Sequence, residues 1–141
     1  MTMTTDQLAR ALHACAAGIY AAEAGVNLLI ANGTFIHRCD FTSRFIEHGT
    51  SSGTPVAAID WGAAVTALNA GELPCSGGER RILQLAASLA DGVPVSLRDT
   101  VTGLDDHNAA RLIMALRHAT GSSHLRFVIT FNRNRGVQGS R

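Results

Sequence analysis

Residues 74–121 read PCSGGERRILQLAASLADGVPVSLRDTVTGLDDHNAARLIMALRHATG, and the capping chemistry written into this stretch decides the fold. Ser76 and Glu79 form a capping box. The hydroxyl accepts from a backbone N–H of the first turn, and the carboxylate reaches back to the cap's own N–H. Ile82, Leu85, Ala86 and Leu89 follow at helical spacing as an inner face, and Gly92 is a left-handed stop. Val93-Pro94-Val95 is extended, because proline disfavours helix at the residue before it. Ser96 caps a short helix to Thr102, which Gly103 closes. Asp105 caps a third helix through Ala119, with Ala109, Leu112, Ile113 and Leu116 facing in and Gly121 ending it.

Helices at 77–91, 97–102 and 106–119 reproduce the order of a helix-turn-helix. The extended residues VPVSL before the second helix and LRFVITF after the third would supply part of a wing. The third helix would present His107, Asn108, Arg111 and Arg117 to a groove, with Arg126 beyond it. Two features depart from that motif. Leu97 stands six residues before Gly103, where about eight is usual, and Asp99 occupies the small-residue position of the second helix. The recognition helix would also open on Asp105-Asp106, which suits a helix N-terminus and repels phosphate. The sequence therefore favours a capped three-helix unit, with DNA binding as its alternative.

Upstream, Thr4 opens a second capping box with Gln7. Leu8, Leu12, Cys15, Ile19, Ala22, Val26 and Leu29 alternate steps of four and three, which predicts one helix of about six turns ending at Asn32-Gly33. Gly18 and Gly25 lie inside it, and close approach of a neighbouring helix would account for both. From Thr34 to Gly49 a second helical region presents Phe35, Ile36, Phe41, Phe45 and Ile46, with Asp40 as a cap for its second half. Residues 50–55, TSSGTP, form a loop by composition. Asp60 caps a helix from Trp61 to Ala70 with Trp61, Val65 and Leu68 inward, and Gly71 stops it.

Beyond Gly121 the character of the chain changes. All 22 alanines lie before residue 120. Leu125, Phe127, Ile129 and Phe131 alternate with polar or smaller residues, which predicts a short strand, and NRNRGVQGSR is a basic tail. Residues 107–141 carry six arginines and no acid. The first 106 residues carry six arginines against eleven acids, a net charge of −5. The domain division is 1–121, a helical domain, and 122–141, a basic tail or appended extension.

Composition sets the class. At 141 residues with 46% apolar and 16% charged side chains, the chain suits one domain with a real core. Aromatics are few, so the core is built from Ala, Leu, Ile and Val, which favours helix on helix over a sheet. The fold expected is all-α, a single compact domain of five or six helices. Three cysteines, Cys15, Cys39 and Cys75, at no framework spacing read as reduced thiols in a cytoplasmic protein. The apolar run 14–31 is interrupted by Glu23 and Asn27, so a core helix is expected and not a membrane span.

No catalytic or metal signature is complete. His37-x-Cys39, with His48 and Cys75, and His13-x-Cys15 are the metal-like pairs, but on a helix H-x-C sets its side chains about 200° apart. No metal or cofactor is expected. Glu23, with Tyr20 three residues back and Asn27 four on, makes a polar ladder. Such a carboxylate acts as a base if burial raises its pKa, or pairs with an arginine of the next helix. Catalysis would require Glu23 and Tyr20 to share a cleft with a histidine. Gly77-Gly78 before a helix suits an anion, and Glu79 opposes it.

The segments GIYAAEAGVNLLIANG and DWGAAVTALNAGELPCSGGERRILQLAASLADGVPVSLRDTVTGLDDHNAARLIMALRHATG resemble a family of small actinobacterial helical proteins of unknown function, over roughly residues 8–121. The resemblance implies a cytosolic origin and names no catalytic residue. The function expected is that of a non-enzymatic helical interaction protein that self-associates or takes a partner helix, with the DNA-binding regulator over residues 79–120 as the alternative.

Overall fold

A computed structural model describes residues 3–122. It is mostly helical, with one small antiparallel sheet. The order is α1 (Thr5–Ala16), α2 (Tyr20–Asn32), a 3-10 turn (Phe35–His37), α3 (Cys39–Phe45), β1 (Ile46–Ser51), β2 (Thr54–Ile59), α4 (Trp61–Asn69), α5 (Gly77–Asp91), α6 (Leu97–Val101) and α7 (Asp106–Ala119). The strand expected at 125–131 and the tail after it lie outside the described residues. No helix among the described residues is long and apolar enough to cross a membrane.

Except at Asp40, the N-caps read from the sequence form as expected. Thr4 and Ser76 close complete capping boxes with Gln7 and Glu79. Asp60, Ser96 and Asp105 accept from Ala63, Asp99 and Asn108 N–H. Gly33 and Gly92 end α2 and α5 in the left-handed conformation.

The first long helix is a correction: it is two helices. Ala17 leaves helical geometry with ψ 131°, and Gly18 adopts φ +91°. One helix over 5–32 would run about 42 Å at 1.5 Å per residue. A domain of this size has a radius of gyration of only about 14 Å. The break lets α1 fold back onto α2 and β2. Gly18 has no neighbour near its missing Cβ, so its glycine serves backbone conformation, not close packing. The predicted stripe is interrupted there, since Cys15 and Ile19 are exposed, while Leu8 and Leu12 before the break and Val26 and Leu29 after it are buried.

The region 34–59 is the second correction. It holds a 3-10 turn, a two-turn helix and a hairpin where a longer helix and a loop were expected. Arg38 and not Asp40 is the residue before α3, with no side-chain cap bond. Asp40 instead accepts from Arg38 Nε at 2.9 Å. Ser52 (φ +50°) and Gly53 (φ +80°) make a two-residue turn with both φ positive, the geometry that matches strand twist in a tight hairpin. Thr54 pairs with Ser51 and Pro55 with Thr50. In a two-residue hairpin the pair beside the turn is hydrogen-bonded and the next is not, so Pro55 sits where no N–H is needed.

The core is continuous. Phe35, Phe41 and Phe45 stack with centroids 5.2 and 5.5 Å apart. Leu12, Leu28, Leu29, Leu68, Ile82 and Leu83 are fully enclosed. Trp61, Val65 and Leu68 face in on α4 as expected. The central helix is α2, which packs against both α5 and α7. Close approach at α5 depends on Gly25, as the sequence anticipated for that glycine.

Candidate functional site

Helix α7 is rotated from its expected orientation. Asn108, Leu112 and Ala115 are its buried residues, while Ile113 and Leu116 are 40% and 44% exposed. Packing on α2 is the physical reason. The inward stripe 108-112-115 is set by polar pairing at its start, where Asn108 joins the two helices.

Asp105 Oδ1 accepts from Asn108 N–H at 2.8 Å, capping α7. The Asn108 side chain then turns inward. Its Oδ1 accepts from Asn32 Nδ2 at 3.3 Å and from Arg111 Nη1 at 3.1 Å. The last turn of α2 is thereby fixed to the first turn of α7. At the opposite end, His118 Nε2 lies 2.8 Å from Glu23 Oε1, and Gly18 N–H donates to Glu23 Oε2 at 3.1 Å. Tyr20 meets the His118 ring edge-on at 6.0 Å. The helices are therefore antiparallel and tied at both ends.

Between the ties lies an open groove of about 590 Å³. Leu28, Ala31, Met114 and Ala115 are among its apolar lining, and Tyr20 and Gly121 stand at one end. The small residues on both helices leave this volume unfilled. Among the described residues, Arg111, Arg117 and His118 line it, and no carboxylate does. Within that size range, apolar walls with a few convergent polar groups are the usual makeup of a ligand site.

Glu23, Tyr20 and a histidine do come together, which the sequence posed as a condition without naming the histidine. The partner is His118 and not an arginine. The carboxyl of Glu23 is held below its ordinary range, first by the hydrogen bond to His118 and then by that from Gly18 N–H. Such a carboxylate orients an imidazole; a raised pKa, as a general base at neutral pH would want, is not what its surroundings produce.

The residues of the DNA-binding alternative are dispersed. His107 is exposed at the start of α7, Asn108 is buried and bonded to its neighbours, and Arg111 and Arg117 line the groove beside α2. Arg126 lies outside the described residues. The order of α5, α6 and α7 is as read, but Val93-Pro94-Val95 forms no strand and the main partner of α7 is α2. Among the described residues no three His, Cys, Asp or Glu side chains gather as a metal site. Cys15 and Cys39 are exposed. Cys75 is half-buried, and burial pushes its thiol pKa up. Comparison with protein-family models, with curated proteins and with solved structures gives no match.

Sequence reasoning missed the groove. Its α2 residues recur at helical spacing among alanines that look like ordinary core, and only the polar ladder Tyr20, Glu23, Asn27 marked that side of the helix.

Proposed function

We propose that the protein is a non-enzymatic helical interaction protein that self-associates through the outer seam of α7. The observation that carries this is the exposure of Ile113 and Leu116 on a well-capped helix. Ala109, Ile113, Leu116 and Thr120 repeat at steps of four, three and four. That is the spacing of a seam that packs helix on helix. None of the four is charged, so two copies meet there without like-charge repulsion. The helix begins with Asp105-Asp106 and ends with Arg117-His118, so an antiparallel pair related by a two-fold axis sets opposite charges together. Leu97 and Val101, one turn apart on α6, are also exposed and extend the apolar character of this part of the chain.

Sedimentation across a wide concentration range tests the reading. The expected result is a reversible dimer that becomes monomeric in the variant Ile113→Glu with Leu116→Glu, with helical circular dichroism unchanged. A wild-type chain that stays monomeric at the highest concentration overturns it. Salt-dependent binding of random duplex DNA by that monomer would put the DNA-binding reading in its place.

A further inference from the structure

We infer that the groove between α2 and α7 binds an apolar carboxylate of acyl-chain type, with its head on Arg111 and its chain running toward Tyr20. This does not rest on self-association. At 100° per residue, Ala109, Ile113 and Leu116 lie on one flank of α7, and Ala110, Met114 and His118 lie on the other.

The charge of the groove selects the head group. Among the described residues, Arg111 and Arg117 line it and no acid does. At its far end, the Glu23 carboxylate is bound to His118 and to Gly18 N–H. The guanidinium of Arg111 is held in place by Asn108 Oδ1. A fixed guanidinium offers a carboxylate two parallel N–H donors at little ordering cost.

The walls select the body. Leu28, Ala31, Ala110, Met114 and Ala115 present carbon along the groove, and Met114 is 48% exposed. Methionine adapts to a flexible chain because it is unbranched and polarizable. From Arg111 to Ala119, the last residue of α7, the helix rises about 12 Å, which accommodates a medium-length acyl chain. The groove ends where the Tyr20 ring lies against Gly121, whose added Cβ would fall 2.8 Å from that ring. Nothing larger than glycine fits there without moving the ring that closes the groove.

The test uses the full chain and decanoate below its micellar concentration. Decanol and protonated decylamine serve as neutral and charge-reversed probes. Tyr20 is the only tyrosine of the chain, so its ring resonances report on the groove directly. Decanoate is expected to shift them saturably, and decylamine to bind at least tenfold more weakly. Arg111→Gln should weaken decanoate roughly tenfold or more, the loss of one charged hydrogen bond. Arg111→Lys, which keeps the charge and loses the paired donors, should fall between wild type and Arg111→Gln. Met114→Trp should fill the groove and abolish binding while the rest of the spectrum stays native. Ile113→Glu with Leu116→Glu should leave binding unchanged, so the two readings fail separately. Equal affinity for decanoate and decylamine overturns the inference, as does undiminished binding by Met114→Trp. Decanoate affinity that falls as protein concentration rises also overturns it, because a second copy would then occupy the groove.

Discussion

Gly25 and Ala90 define the closest approach of α2 to α5. A Cβ placed on Gly25 would lie 2.6 Å from the Ala90 Cβ and 2.7 Å from the Ala86 carbonyl oxygen. Backbone on one side and a short side chain on the other leave nothing that can swing away. Gly25→Ala should therefore destabilise the fold by about 1–3 kcal/mol, overpacking outweighing the gain of up to about 1 kcal/mol in helix propensity. Gly62, in the first turn of α4, is the control. Its Cβ would meet only Asp60 Oδ1 at 4.0 Å, so Gly62→Ala should be neutral or slightly stabilising. Urea titrations should show a lower midpoint for Gly25→Ala and an unchanged or higher one for Gly62→Ala, and a stable Gly25→Ala would refute the close contact.

Gly18 separates α1 from α2 with φ +91°. Gly18→Ala should cost about 1–2 kcal/mol, the strain of an L-residue in left-handed backbone. The break should persist, because it is held by packing of α1 and by the Glu23–Gly18 bond, so helical circular dichroism should not rise. A gain in both ellipticity and melting temperature would show that the chain prefers one long helix.

Asn108 is 6% exposed and joins Asp105, Asn32 and Arg111. Its truncation leaves the half-buried Asn32 amide N–H without its partner. Asn108→Ala should lower stability by about 1–3 kcal/mol, read from chemical denaturation. A loss within about half a kcal/mol, the usual range of a surface change, would place this side chain outside the structural network and return it to the groove-reading set.

Glu23 sets a pH dependence whose sign follows from its bonds. The hydrogen bond to His118 holds the folded carboxyl below its ordinary value of 4.5. The folded state therefore binds this proton less readily than the unfolded state. The contribution is fully present above the unfolded value and is lost as pH falls through the folded one. Asp40, lowered first by its bond to Arg38, behaves in the same direction. The gap in melting temperature between wild type and Glu23→Gln should be largest near neutral pH and should close as pH drops well below 4.5. A gap that widens in acid would contradict the pairing.

Helix ends were legible from the sequence because a cap is a contract among residues within four positions of one another. Ser76 with Glu79, Asp60 with the N–H of Ala63, and Asp105 with that of Asn108 need no distant partner. The hairpin was less legible. Residues 50–55 read only as a loop by composition, Ile46 belongs equally to the apolar spacing of a helix, and only pairing with Ile59 settles it as strand. The groove was not legible: His118 reaches Glu23 across 95 residues of chain, and no local pattern encodes that meeting.

Alone, the sequence determined where α4 to α7 start and stop, that Trp61, Val65 and Leu68 point inward, and that one glycine of α2 allows close approach. Tertiary structure decided which face of α7 is buried, that the first helix breaks at Gly18, and that two alanine-rich helices tied at both ends leave a cationic groove between them. The division is physical. Caps and turns are satisfied by hydrogen bonds within one turn of chain, whereas the buried face of a helix and the space beside it depend on which distant side chains arrive to fill it.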